Sequence, residues 1–155
     1  MKIIAFDLGR NFAFAHNRTK VPVTHLEILK GETRAHRLGY LNEFLTKLFY
    51  DYRRRTMPGF DIAVYETPFA RGRDATRSLW GIAGIIEACA TNAGLPVVDV
   101  AVPTIKKFAT GHGKASKDDM IAAARRMGYK GSNEHEADAV CLLRYAEANL
   151  ERVLT

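Results

Sequence analysis

A chain of 155 residues, 47% hydrophobic and 26% charged, has the length of one domain and the composition of an ordinary folded protein, which argues against disorder and against a second domain. Its net charge of +6 favours a polyanionic partner. No run is long enough to span a bilayer, and in "MKIIAFDLG" an acidic residue interrupts the first apolar stretch too early for a signal-peptide core, so a cytoplasmic protein is expected.

In chain order, residues 2 to 8 read as a central strand, apolar on both faces and broken at Gly9. "NFAFAHN" alternates Phe12 and Phe14 against Ala13 and Ala15, and "THLEILKG" alternates again from Thr24, so the first three strands form an antiparallel meander. Leu38, Leu41, Leu45 and Leu48, with Phe44 and Phe49, recur at helical spacing through about Arg54. "MPG" at 57 to 59 is a turn, and "DIAVYET" is the fourth strand. A helix follows from Asp74 to Ala93, ended by Gly94 and Pro96, and "PVVDVAV" is the fifth strand. Beyond lie a short basic segment, the loop "TGHGKAS", a helix from about Lys117 to Met127 and a last helix from near Asn133. Cys89 and Cys141 fall in apolar helical patterns without metal-like spacing and read as buried, reduced thiols. The order predicts an α/β protein: a five-stranded mixed sheet flanked by helices, matching the ribonuclease-H-like (RNase H-like) fold by analogy, with the first and fourth strands side by side.

That adjacency joins two acids. Ile3, Ala5 and Asp7 share one face of the first strand, and Ile62, Val64 and Glu66 share one face of the fourth. Each acid takes a place its strand otherwise gives to an apolar side chain, so it needs a cation, a hydrogen-bonding partner or a proton. In "NEHEADAV", His135 and Asp138 project from the same face of the last helix. Carboxylates with an imidazole suit Mg2+ or Mn2+, and two such ions roughly 4 Å apart activate water for in-line displacement at a phosphodiester. Plainer readings stand beside this one: Asp7 closing a turn, Glu66 paired with an arginine, and Asn133 with Glu136 as a capping box, Glu134 and Glu136 suiting the positive helix end.

"IIAFDLG", "YETPFARG", "VPTIKKFATGHGKASKDDM" and "HEADAV", in that order, resemble the RuvC family of Holliday-junction resolvases, and within it the short phage-type members. The resemblance covers nearly the whole chain. It implies a homodimeric, Mg2+-dependent endonuclease of the bacterial or phage-infected cytoplasm that cuts four-way DNA by paired nicks. Asp7, Glu66 and Asp138 match the family's catalytic, metal-binding carboxylates, and His135 stands where the fourth site residue falls, either as a metal ligand or as a proton-handling group. Phe69 matches an aromatic used against bases at an opened junction. Arg10 and Ala13 depart from the family's pattern of a small hydroxyl residue and a later glycine.

The basic residues suit a phosphate cradle. Lys106, Lys107, Lys114 and Lys117, with His112, fall in an acid-free stretch carrying Gly111 and Gly113, and Arg71, Arg73 and Arg77 follow the fourth strand. "YRRR" at 52 to 55 closes a helix and is read as structural, and Trp80 as core or interface. Two other readings compete: a nucleotide-binding domain of the actin and sugar-kinase group, which also opens on "DLG", and a catalytically inactive binder of branched DNA.

Overall fold

The computed structural model describes residues 1–53, 59–69 and 72–149. Met57, Pro58, Arg54, Arg55 and Arg71, on which the turn, helix-end and DNA-contact readings partly rest, lie outside them. The elements run β1 (Ile3–Asp7), β2 (Asn11–His16), β3 (Val23–Ile28), α1 (Arg34–Arg53), β4 (Ile62–Glu66), α2 (Arg73–Asn92), β5 (Val97–Val100), α3 (Val102–Thr110), α4 (Lys117–Arg126) and α5 (Glu134–Ala148). The sheet order is β3-β2-β1-β4-β5, with β1 antiparallel to β2 and parallel to β4. The mixed sheet and the β1–β4 adjacency are therefore as expected.

The short basic segment after β5, to which the sequence pattern gave no element, is the helix α3, opened by Pro103 in its first turn and closed by Gly111. Gly111 has φ 91°, the left-handed conformation that glycine adopts without strain, and its N–H donates to the Lys107 carbonyl at 2.9 Å. Only Ile105 and Ala109 of α3 are buried, one turn apart.

The strands' period of two divides the core into unlike halves. On one face Ile4, Phe6, Phe12, Phe14, Ala63 and Tyr65 meet α1 and α2 through Leu41, Leu45, Phe49, Ile82 and Ile86. Phe6 stacks on Phe12 at 5.5 Å and meets Phe49 edge-on at 6.3 Å. On the other face Ile3, Ala5, Ala13, Ala15, Ile62 and Val64 meet Ala137, Val140, Cys141 and other residues of α5. The alanines set how near the helix comes. Small side chains on both sides let α5 settle close over β1 and β2, bringing its first turns within reach of the strand ends. Cys141 is fully buried there, and burial pushes its thiol up to about 12, so the expectation of a buried thiol holds for it, as it does for the nearly buried Cys89.

His16 is the one other buried polar residue besides Asp7 among the described residues. Its ring packs 5.6 Å from Phe60, and its Nδ1 accepts the Arg18 N–H at 3.5 Å, which requires the neutral form. Burial, and then the Arg18 charge, lower its pKa from the ordinary 6.5. The unfolded chain takes up the proton first, so this contribution to stability is present above pH 6.5 and fades as pH falls toward the folded-state value. Thermal melts of His16→Gln against wild type are expected to converge on acidification, because the variant lacks this loss; parallel curves would show that His16 does not set the acid limb.

Candidate active site

Parallel pairing sets Ile3 against Ile62 and Phe6 against Tyr65. Carried one residue further, that register puts Asp7 beside Glu66 at the carboxyl ends of the two central strands. The two carboxyl groups lie near enough for each to act on the other's proton. From above, the start of α5 supplies His135, whose Nδ1 lies 2.8 Å from Asp7 Oδ2. One turn on, Asp138 lies near enough for its charge to act on Glu66 and for that of Asp7 to act on it. Four side chains from three elements far apart in sequence, β1, β4 and α5, thus gather at one end of the sheet.

Their protons record the crowding. Burial, then the Asp7 and Asp138 charges, hold Glu66 well above the ordinary carboxylate range. Burial raises Asp7 as well, opposed by the His135 hydrogen bond. Asp138 is pushed up to about 7 by burial and by Asp7, with Lys106 and His135 opposing. His135 is raised by its hydrogen bond to Asp7. Burying an unpaired carboxylate costs several kcal/mol, whereas a buried leucine at the same place contributes about 2 kcal/mol. Stability alone does not explain three acids here, and buried acids with shifted titration gathered in one place mark a candidate functional site.

The donor set, three carboxylates and an imidazole, fits a hard divalent cation. Among the described residues, however, no three His, Cys, Asp or Glu side chains already stand in a metal-holding arrangement. Asp7 Oδ2 is engaged by His135 Nδ1 at 2.8 Å.

Two neighbours were not singled out from the sequence. Asn11 Nδ2 lies 3.4 Å from His135 Nε2, so the first residue of β2 touches the imidazole. Glu134 Oε1 lies 3.7 Å from the same nitrogen, and its other oxygen pairs with Lys117 Nζ at 2.6 Å. The Lys117 contact holds Glu134 below its ordinary pKa. Glu134 was expected to serve only the helix end. Its position one residue before His135 was the available signal.

The capping expectation is half right. Asn133 Oδ1 accepts the N–H groups of His135 and Glu136 at 2.9 and 3.1 Å. Glu136 does not reciprocate: its carboxylate accepts the Tyr129 hydroxyl at 2.8 Å, while the Asn133 N–H donates to that same hydroxyl oxygen at 3.1 Å. The complete capping box is at Ser116 and Asp119, opening α4.

Around the acids, Phe69 stands 80% exposed at the mouth of a cleft of about 100 Å³ that also borders Glu66. Arg73 and Arg77 are exposed on the first turns of α2. Lys106 Nζ donates to the Ala115 carbonyl at 3.0 Å, tying α3 to the start of α4 while its charge acts on Glu66 and Asp138. Lys107, His112 and Lys114 are exposed on α3 and the loop after it, and Lys117 reaches the site's rim through Glu134. Trp80 is half exposed, which rules out the core reading.

No protein-family model matches the chain. RuvC crossover junction endodeoxyribonucleases of Anaeromyxobacter sp. (strain K) and Anaeromyxobacter dehalogenans are 40% identical to it over 60 residues, 38% of this chain and 32% of theirs. The match spans about a third of the length of these curated relatives. In three dimensions, Thermus thermophilus RuvC superposes with a TM-score of 0.74 over 99% of this chain and 98% of that one, at 18% identity. T. thermophilus RuvC in complex with a Holliday junction substrate gives 0.76 over 97% and 96%, at 21% identity. The fold is that of RuvC, an RNase H-like one. In this RuvC fold the gathered acids lie at the carboxyl end of the paired central strands, the end at which open α/β sheets receive their ligands. No helix among the described residues is long and apolar enough to cross a membrane.

Proposed function

We propose that this chain is a RuvC-type endonuclease that cuts four-way and other branched DNA in the cytoplasm, as a homodimer making paired nicks, with Mg2+ or Mn2+ as cofactor. The observation that carries the reading is the gathering of Asp7, Glu66, Asp138 and His135 at one sheet end.

Asp7, Glu66 and Asp138 would hold the metal, with His135 beside them. A bound divalent cation supplies charge neutralisation for the attacking and departing oxygens of an in-line displacement. The chain's own groups supply the rest. Glu66 and Asp138, pushed toward the protonated form by burial and by the neighbouring charges, would hold the cation in their deprotonated form. His135, whose Nδ1 lies 2.8 Å from Asp7 Oδ2, would stand beside the cation as a further ligand or as a proton-handling group. Lys106 offsets part of the site's negative charge, and Arg73, Arg77, Lys107, Lys114 and Lys117 give a polyanion a landing surface independent of sequence. Arg71 belongs to the same proposal.

A labelled four-way junction with Mg2+ tests this. Symmetric, religatable nicks that vanish in EDTA are expected; failure to cut any branched DNA with either metal would leave the inactive junction binder. Phe69 offers a second test. Its ring is exposed, so Phe69→Ala should leave the melting temperature unchanged. Loss of one base–aromatic stack, about 1–3 kcal/mol, should weaken junction binding roughly tenfold. Unchanged binding would remove Phe69 from the DNA surface.

A further inference from the structure

Across the sheet from the carboxylates, a cleft of about 160 Å³ opens between the β1–β2 turn, the start of α1 and the middle of α2. Arg10, Arg34 and Arg37 line it with Ser78, above Leu38 and Ile82. No carboxylate is among the described residues that line it. Arg37 Nη1 donates to the Gly31 and Glu32 carbonyls at 3.1 and 3.2 Å, which fixes that guanidinium at the rim. α1 opens without an acidic residue in its first turn, so Arg34 and Arg37 add positive charge where the helix dipole is already positive. Three cations lining one cleft with no carboxylate beside them favour an anion there. Guanidinium forks match phosphate oxygens in geometry as well as charge.

The location narrows the ligand. Arg10, which ends the turn between β1 and β2, and Asn11, the first residue of β2, are adjacent yet serve opposite faces: Asn11 reaches His135 at the carboxylate site, while Arg10 lines the cleft. One tight turn therefore joins the two. We infer that the cleft binds a backbone phosphate of the DNA strand flanking the one cut at Asp7, the strand passing over the carboxyl end of β1 from the α5 face to the α1–α2 face. This rests on the proposed branched-DNA function and adds a contact to it. It also gives a role to Arg10, one of the positions at which the chain departs from the family's pattern.

The test is binding of a fluorescent four-way junction in EDTA, by the whole chain, between about 50 and 200 mM salt. Arg10→Gln/Arg34→Gln is expected to bind about tenfold more weakly at the upper salt, with a salt slope smaller by about two. Arg10→Lys/Arg34→Lys should keep the slope, which guards against misreading a folding defect. Lys20→Gln, at the far end of β2, is the charge control and should bind like wild type. If the double glutamine variant binds like that control, the inference is overturned, whatever the cleavage result. The nuclease reading is scored separately on wild type with Mg2+: weaker binding by the double variant with no wild-type cleavage would keep the phosphate cleft and discard the nuclease.

Discussion

Asp7→Asn should lower junction cleavage by about a thousandfold, equivalent to roughly 4 kcal/mol of barrier, while junction binding and the melting temperature stay near those of wild type. The asymmetry comes from where the residue sits. Asparagine has the shape of aspartate, and its carbonyl oxygen can still accept from His135 Nδ1, so the β1 end and the start of α5 remain joined. What is lost is the negative charge that Asp7 would bring to the proposed metal. The proposed contacts to the DNA backbone fall to other residues, Arg73, Arg77, Lys107 and Lys114, which are exposed and which the substitution does not touch. Quantified nicking of a labelled junction, alongside binding in EDTA, separates the two quantities. Cleavage within tenfold of wild type would remove Asp7 from the chemistry.

Glu66→Gln carries the second large effect, and it has opposite signs with and without metal. In EDTA the variant should melt above wild type, because it replaces an acid that burial and the Asp7 and Asp138 charges force to take up a proton on folding, a gain of about 1–2 kcal/mol. With Mg2+ or Mn2+ at about a hundred times its dissociation constant, wild type should gain about 2.7 kcal/mol, near 5–10 °C for a chain of this length. The variant should gain little, so the order of stability reverses as the metal is added. A variant less stable in EDTA and equally responsive to metal would mean that Glu66 is a structural residue.

Much of this site was legible from the strands. Asp7 and Glu66 interrupt apolar faces at strand ends, and a period of two fixes which face each serves, so only the β1–β4 adjacency had to be supplied. His135 and Asp138 were legible because a helix start accounts for Asn133 and Glu136 but not for them. The His135–Asp7 hydrogen bond was hidden: it depends on how deeply α5 sinks, which the alanines of β1, β2 and α5 decide together. Asn11 was hidden for the same reason. α3 escaped because two buried positions, Ile105 and Ala109, make too short a pattern, although Pro103 and Gly111 marked its ends. The reciprocal half of the Asn133 capping box failed because Tyr129, distant in pattern but close in space, takes the Glu136 carboxylate.

The most direct test of a metal-dependent site is a crystal structure of the protein soaked in Mn2+, read by anomalous scattering. An ion about 2.1 Å from oxygens of Asp7, Glu66 and Asp138, with Asp7 turned away from His135, is the predicted result. Density for Mn2+ only elsewhere on the molecule, with Asp7 still held by His135, would contradict it.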